Sequence, residues 1–229
     1  MNKPFETYFG GKGSDGTFQT IINHIRPHKH YFELFAGNAT IARHKKKTDY
    51  NNILVEIDKD VCQRLSETMP DFEVINANAL SFLENELINY SIQRGQNMCI
   101  YCDPPYPISS RLSNHRYKHE LSDDEHDKLL SLLKQCKCDV LISTYPNDLY
   151  KERLKDWHLI EFQSKTRKGS ATEWLFMNYH QIDSLHDYSF LGNNHRERQL
   201  IKRKQKRWVN KFLSLPQLEQ QSLVSILLK

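Results

Sequence analysis

The stretch Met98-Cys-Ile-Tyr-Cys-Asp-Pro-Pro-Tyr-Pro107 decides how the rest of the sequence is interpreted. Its first five residues are apolar enough to form a buried strand, and Asp103 follows where that strand ends. Ligands of open α/β sheets bind at the carboxyl ends of the strands. Pro104 and Pro105 have a fixed φ and no N–H, so the backbone after Asp103 is rigid. The stretch therefore predicts either a ligand-binding strand end or a plain turn punctuated by proline.

A strand, a glycine turn and a helix are predicted upstream, from His30 to Arg43. Gly37 lets the chain turn sharply and pass close to a ligand at a helix N-terminus. Ala39 stands where a dinucleotide fingerprint has its second glycine, which disfavours a pyrophosphate cofactor. Glu56 ends the next strand, about 20 residues after the turn, where an acid suits hydrogen bonds to ribose hydroxyls. Asn78, after the third strand, is placed to contact an adenine edge.

The alternation of strand and helix patterns predicts an α/β fold with a mostly parallel, seven-stranded, Rossmann-like sheet and helices on both faces. The last two strands, 157–162 and 173–179, are expected to form an antiparallel hairpin at the sheet edge around the loop 165–171. The organising hypothesis is one domain over residues 1–187, followed by a basic helical extension over residues 188–229.

Composition narrows the class of protein. The 229 residues are 38% hydrophobic and 26% charged, which is typical of a soluble globular protein. No window reaches the roughly 18 consecutive apolar residues of a membrane span, so no membrane partner is expected. Five cysteines without a leader sequence favour reduced thiols in a cytoplasm. The 11 histidines lack ligand spacing, so no metal is predicted.

Charge is unevenly distributed along the chain. The segment from Tyr188 onward has nine Lys and Arg against two Asp and Glu, whereas the chain as a whole has a net charge of +4. An excess of this kind predicts a polyanionic partner, although a basic helix can also be a solvated face. The candidate nucleic-acid contacts lie in the loop after Pro107, in the hairpin and in the tail: Arg111, Arg116, Lys118, Lys165, Arg167, Lys168, Arg203, Lys204 and Arg207.

The opening segment, Thr7-Tyr-Phe-Gly-Gly-Lys-Gly13, places a cation beside two adjacent glycines. Glycines allow close approach of the backbone to a ligand. The spacing is not that of a phosphate-binding Walker loop. On its own, the segment favours the interpretation as a flexible N-terminal turn over that of a ligand-binding loop.

Taken together, these motifs resemble those of the Dam-like (D12 class) DNA adenine-N6 methyltransferases, in a compact form typical of phages and mobile elements. Phe9-Gly-Gly-Lys12 is similar to the family's N-terminal cofactor motif, with Tyr8 as its aromatic neighbour. Glu33-Leu-Phe-Ala-Gly37 is similar to the central S-adenosylmethionine motif, and Asp103-Pro-Pro-Tyr106 matches the catalytic motif. Asn78 departs from the family's usual Asp.

The resemblance implies an S-adenosylmethionine-dependent methyltransferase fold over residues 1–187 and, as product, S-adenosylhomocysteine. The cofactor residues that it implies are Tyr8, Phe9, Gly10, Gly11, Lys12, Glu33, Phe35, Ala36, Gly37, Glu56, Asn78, Ala79 and Asp103. It also implies a DNA substrate, a cytoplasmic protein of bacterial or phage origin, and either a restriction endonuclease partner or none. Ser81 to Gln96 leaves no room for the recognition domain of larger members, so the target sequence stays open.

The resemblance further implies a catalytic set of Asp103, Pro104, Pro105 and Tyr106. Asp103 and the Pro104 carbonyl would accept the hydrogens of the adenine amine, and Tyr106 would stack on a base flipped out of the duplex. Three alternatives remain open at this point. The same fold could methylate cytosine N4 or a protein side-chain amide, it could act on RNA adenine, or it could be a non-catalytic DNA-binding protein with a decayed site.

Overall fold

The computed structural model describes most of the chain, and every structural statement below concerns these residues. They are residues 12–13, 16–110, 118–166, 169–180 and 182–228. The chain divides into two compact units, Met1–Tyr188 and Ser189–Lys229. The roles predicted for the two segments remain predictions.

The first unit alternates strands with helices. Its strands are β1 (His30–Leu34), β2 (Asn52–Glu56), β3 (Glu73–Asn76), β4 (Met98–Cys102), β5 (Asp139–Thr144), β6 (His158–Thr166) and β7 (Gly169–Met177). Its α-helices are α1 (Thr17–Ile22), α2 (Thr40–His44), α3 (Lys59–Thr68), α4 (Ala79–Phe82), α5 (Ile88–Arg94), α6 (Asp123–Leu133) and α7 (Asp148–Arg153). A π-helix (Leu83–Leu87) joins α4 to α5, and 3₁₀ turns occupy Gly95–Asn97 and Ile108–Ser110.

The seven strands form one sheet in the order β3-β2-β1-β4-β5-β7-β6. The pairs from β3 to β5 are parallel, and β7 is antiparallel to both β5 and β6. The predicted fold class, a mostly parallel Rossmann-like sheet with an antiparallel edge hairpin, is confirmed. The strand order reverses between β1 and β4, which is the position where ligands bind in such sheets.

Burial explains why the central strands are near-continuous apolar runs. Every residue of β1, β2, β4 and β5 is buried, as expected for parallel strands covered by helices on both faces. A capping box begins α6, because the Ser122 hydroxyl accepts the Glu125 N–H and the Glu125 carboxylate accepts the Ser122 N–H.

The edge hairpin differs from the prediction. The strands were expected to end near Phe162 and to resume at Glu173, with a seven-residue loop between them. Instead the ladder continues as far as the pair Thr166↔Gly169. The expected loop is therefore mostly strand. A strand is recognised in sequence by side chains that alternate between apolar and polar, and this alternation is missing from a polar, basic segment.

The second unit consists of two helices, α8 (His195–Leu213) and α9 (Gln217–Leu227). Asn194 caps α8 by accepting the Glu197 N–H at 2.9 Å. The prediction of a basic helical extension is confirmed in its secondary structure. The exposed apolar side chains include Trp208 on α8 and Leu218 on α9.

Candidate active site

A cavity of about 530 Å³ opens at the carboxyl ends of β1, β2 and β4. This volume lies in the range of small-molecule and cofactor sites. Eleven of the residues predicted for the cofactor or for catalysis line it together: Lys12, Glu33, Phe35, Ala36, Gly37, Glu56, Asn78, Ala79, Asp103, Pro104 and Pro105. Residues between Asn38 and Tyr101 and between Lys118 and Glu125 complete its wall.

The turn after β1 has an unusual backbone. Phe35, Gly37 and Ala39 all have positive φ, at 57°, 51° and 48°. A non-glycine residue in this region is uncommon, and such strain is found most often where backbone approaches a ligand. The turn is held by Glu56, whose carboxylate accepts the Gly37 N–H and the Asp58 N–H at 2.8 and 2.9 Å. Glu56 thus joins the ends of β1 and β2.

The hydrogen bonds of Glu56 bear on its predicted role. Each of its two oxygens already accepts one backbone N–H. A carboxylate oxygen can accept a second hydrogen bond, so contact with a ribose hydroxyl remains compatible with this arrangement. The ribose role stays a prediction.

Glu33 is a buried carboxylate in the wall of the cavity. It accepts the Tyr31 hydroxyl at 2.8 Å and the Ala42 N–H at 2.9 Å. Burial raises its pKa to about 7, although these two hydrogen bonds oppose the shift. Burial therefore favours the neutral form of Glu33 more than in an exposed glutamate.

Asp103 follows β4 and is anchored through one of its two oxygens. The Lys12 ammonium lies 2.8 Å from Oδ1, and the Ser143 hydroxyl donates to the same oxygen at 2.9 Å. Among the residues that the structure describes, none is hydrogen-bonded to Oδ2 or to the Pro104 carbonyl. Burial raises the pKa of Asp103, and the charge and hydrogen bond of Lys12 counteract that rise.

Tyr106 lies behind this carboxylate. Its hydroxyl accepts from the Lys12 ammonium and donates to Glu173 Oε2 at 3.3 Å. Its ring packs edge-on against Tyr145, with the centroids 4.5 Å apart. Only 3% of Tyr106 is exposed, and it does not line the cavity. Stacking on a base, as predicted, would therefore require the ring to move.

Two further predicted residues lie at the cavity rim. Asn78 caps α4, because its Oδ1 accepts the Leu80 and Ser81 N–H groups at 2.9 and 3.2 Å. Lys118, predicted to contact DNA, forms an ion pair with Asp58 at 2.8 Å and lines the same cavity. The cap explains why an Asn is stable at position 78, and the adenine contact stays a prediction.

Several predicted residues lie outside the described part of the chain. They are Tyr8, Phe9, Gly10, Gly11, Arg111, Arg116, Arg167 and Lys168. The backbone of Lys165 lies in β6. The tail residues Arg203, Lys204 and Arg207 are exposed on α8.

Sequence reasoning missed Ser143 and Glu173. Ser143 reaches Asp103 from β5, and Glu173 approaches Lys12 from β7 to within 3.5 Å. A buried glutamate in an apolar strand, Glu173-Trp-Leu-Phe-Met177, is itself a signal, because an acid is rarely buried without a partner. Ser143 has no comparable signal, since small residues are common in central strands.

Neither a metal site nor a membrane-spanning helix is found among the described residues. No group of three or more His, Cys, Asp and Glu side chains there is arranged to hold a metal ion. Within the same residues, no helix has both the length and the apolar character needed to cross a membrane. All five cysteines are buried and unpaired.

The sheet order and the cavity at its switch point define a Rossmann-like α/β protein. Residues 71–167 match the family model of the D12 class N6 adenine-specific DNA methyltransferases. The predicted resemblance to this class is thus confirmed over a segment that spans β3 to β6 and includes Asp103. The match supports a DNA methyltransferase as the class of activity.

Other comparisons concern proteins of low sequence identity. Similar solved structures include a DNMT2 variant from Spodoptera frugiperda (14% identity, TM-score 0.44, 68% of this chain and 54% of that one). A SAM-dependent methyltransferase from Agrobacterium tumefaciens is similar at 11% identity and a TM-score of 0.42, over 71% of this chain and 60% of that one. TrmK of M. capricolum, in complex with S-adenosyl-homocysteine, is similar at 8% identity and a TM-score of 0.47, over 91% and 92%. The chain thus spans less than two thirds of the DNMT2 variant and of the Agrobacterium protein. A comparison with curated proteins found no match.

Proposed function

We propose that this protein transfers a methyl group from S-adenosylmethionine to the N6 amine of adenine in DNA. The observation that carries the proposal is the end of β4, where Asp103 and Pro104 line the cavity with a carboxylate oxygen and a carbonyl that no described residue occupies. The family match over residues 71–167 supports DNA as the substrate and adenine as the base.

The cavity suits this cofactor in size and in charge. The acids that line it are Glu33, Glu56, Asp58, Asp103, Glu120 and Glu125, against the cations Lys12, Arg64 and Lys118. An acidic wall favours a ligand that carries a sulfonium and an ammonium. Glu56 and the turn at Gly37 are the residues we assign to the ribose and to the amino-acid part. When bound, the cofactor supplies an electrophilic methyl group.

Asp103 and Pro104 orient the nucleophile. The amine of adenine is a poor nucleophile because its lone pair is delocalised into the ring. We assign Asp103 Oδ2 and the Pro104 carbonyl as acceptors for the two amine hydrogens, which directs the lone pair away from the ring plane. Pro105 holds the backbone rigid between them and Tyr106. Positioning and electrostatic stabilisation then supply most of the rate.

The target base has to leave the duplex to reach this cavity. We assign Tyr106 as the surface on which the base stacks, after release of its ring from the contact with Tyr145. The phosphate contacts are assigned to the basic loop and hairpin of the first unit and to α8. These assignments include the residues outside the described stretches, and they leave the recognition sequence and any endonuclease partner open.

The alternatives are weaker on specific grounds. Asp103 at the first position of the motif and the basic tail favour nucleic-acid adenine over cytosine N4 or a protein amide. A decayed site is disfavoured because Lys12, Gly37, Glu56 and Asp103 are present and line one cavity.

The proposal is tested with the purified full-length protein and two assays. Calorimetry measures S-adenosylmethionine binding, and tritiated-methyl incorporation compares unmethylated DNA with RNA of the same base composition. We expect binding and incorporation into DNA. Binding without incorporation into either nucleic acid, or incorporation into RNA alone, would reject the proposal, and no binding at all would favour the decayed fold.

A further inference from the structure

We infer that Ser143 is a positioning residue for Asp103, which fixes the carboxylate so that Oδ2 is the oxygen presented to the substrate amine. The inference rests on the proposed function, which it deepens by assigning a role to a residue outside the sequence motif. It stands on the register of two strands and on the geometry of a buried hydroxyl.

The register between β4 and β5 places Ser143 beside Asp103. The two strands are parallel and pair Cys102 with Ile142, so Asp103, the first residue after β4, follows level with Ser143 of β5. Ser143 is fully buried, and its Oγ lies 2.9 Å from Asp103 Oδ1. The contact therefore joins β5 to the first residue after β4.

Tyr101 sets the direction of the hydroxyl hydrogen on Ser143. The two hydroxyl oxygens are 2.9 Å apart, and Tyr101 is completely buried in the cavity wall. Because Ser143 donates to Asp103, the Tyr101 phenol is the donor in this pair, and burial raises the pKa of Tyr101 well above its usual range. The single hydroxyl hydrogen of Ser143 is then free to point at Asp103, since its other acceptor, the Cys102 carbonyl, is 3.5 Å away.

Both donors to Asp103 act on one oxygen. Ser143 and Lys12 share Oδ1, so rotation of the carboxylate would break two hydrogen bonds at once. Lys12 has a long side chain with many rotamers, whereas Ser143 is held in a buried strand. Loss of the Ser143 hydroxyl would leave the orientation of Asp103 to the more flexible partner, with a cost in rate because small misplacements of reacting groups are expensive.

The hydroxyl also favours the ionised form of Asp103. Other groups act on the same carboxylate: Lys12 lowers its pKa, while burial and Glu173 raise it. Asp103 in turn raises the pKa of Glu33. Together with burial, it also raises the pKa of Cys102, Tyr101 and Tyr150. Only the hydroxyl changes in a Ser143→Ala variant, so a shift of the Asp103 pKa to higher values is the expected signature.

The test compares Ser143→Ala with the unaltered full-length protein. We expect kcat for methyl transfer to DNA to fall about tenfold to a hundredfold, which is the usual effect of one hydrogen bond to a charged group. The KM for S-adenosylmethionine should stay unchanged, and the acid limb of the kcat–pH profile should move to higher pH. An unchanged kcat with an unmoved acid limb would overturn the inference.

Two variants separate positioning from folding. Ser143→Thr keeps the hydroxyl and should restore most of kcat and the position of the acid limb. Ser91→Ala is a matched control, because Ser91 is also fully buried with two hydrogen bonds, to Ile88 and Lys137 before the start of β5. That control should lower thermal stability without moving the acid limb, and the same limb shift in Ser91→Ala would contradict the inference.

A last measurement keeps the two proposals distinguishable. Carboxyl ¹³C NMR gives the pKa of Asp103 without reference to catalysis, and it should be higher in Ser143→Ala than in the unaltered protein. An inactive unaltered protein rejects the proposed function, whereas an active one with an unshifted Asp103 pKa in the variant rejects only the role of Ser143. Should Ser143→Ala fail to fold, Tyr101→Phe is measured in its place, with a smaller shift in the same direction expected and no shift counting against the inference.

Discussion

The carboxyl edge of the sheet and the C-terminal unit differ in how they carry polar residues. At the sheet edge, Asp103 and Lys12 lie among buried neighbours and form an ion pair with each other, and Asp103 also accepts a hydrogen bond from Ser143. On α8 the cations Arg203, Lys204 and Arg207 point into solvent along one helix. A buried ion has to be paired and oriented, whereas exposed cations act through their summed field.

The difference teaches which kind of function each region can have. Chemistry needs a single geometry, so it is tied to rigid elements such as β4 and β5. Attraction of a polyanion needs only charge, which a helix provides without a packed site. Changes at the sheet edge should therefore impair cofactor binding or the reaction itself, and changes in the second unit should weaken DNA binding by degrees.

The largest effect is expected at Asp103. Asp103→Ala removes the carboxylate that we assign to the adenine amine, so methyl transfer should fall by at least about a thousandfold, in line with the loss of a main electrostatic contributor. Tritiated-methyl incorporation into DNA measures the loss, and calorimetry should show that much of the cofactor binding remains. Full activity in this variant would remove the basis for assigning the site.

A smaller effect is expected at Glu56. Glu56→Gln weakens the hold on the Gly37 N–H and removes the charge assigned to the ribose, so the Kd for S-adenosylmethionine should rise about tenfold or more. Isothermal titration calorimetry measures the change. Glu73→Gln, an exposed glutamate in β3, is the matched control and should leave the Kd as it is. Equal affinities in both variants would place the cofactor elsewhere.

The smallest effect is expected in α8. Replacing Arg203, Lys204 and Arg207 by Ala should weaken DNA binding and reduce the slope of log K against log salt by about 2 to 3, through loss of three phosphate contacts. Fluorescence anisotropy at several salt concentrations measures this slope. The matched control changes three exposed lysines of the first unit that are paired with acids: Lys47, Lys128 and Lys134.

The outcome of the α8 experiment sharpens the comparison of the two regions. A flatter slope in the α8 variant, with the control unchanged, would assign phosphate contacts to the second unit. An unchanged slope in the α8 variant would make that helix an element of folding or assembly, and would leave the first unit as the source of DNA affinity.

The sequence predicted the elements whose residues are contiguous. The strand 98–102, Asp103 and the turn at Gly37 were identified because each forms a short continuous pattern, and the structure brings them to one cavity. The hairpin boundaries were wrong because polar residues between Lys165 and Ala171 resemble a loop, although strand pairing includes most of them. Ser143 and Glu173 were missed because they reach the site only through strand register and order.

Tyr106 illustrates a different limit. Its motif predicts an aromatic ring available to a base, yet the ring is buried against Tyr145 and its hydroxyl lies between Lys12 and Glu173. A motif identifies the residue type at a position, whereas the exposure of its side chain depends on neighbours that are distant in sequence.

The most direct test of the central claim is the identity of the methylated atom. Unmethylated genomic DNA is incubated with the protein and S-adenosylmethionine, digested to nucleosides and analysed by mass spectrometry, with Asp103→Ala in parallel. We predict N6-methyldeoxyadenosine with the unaltered protein and none above background with the variant. N4-methyldeoxycytidine as the product, or equal amounts of N6-methyldeoxyadenosine from both proteins, would contradict the account.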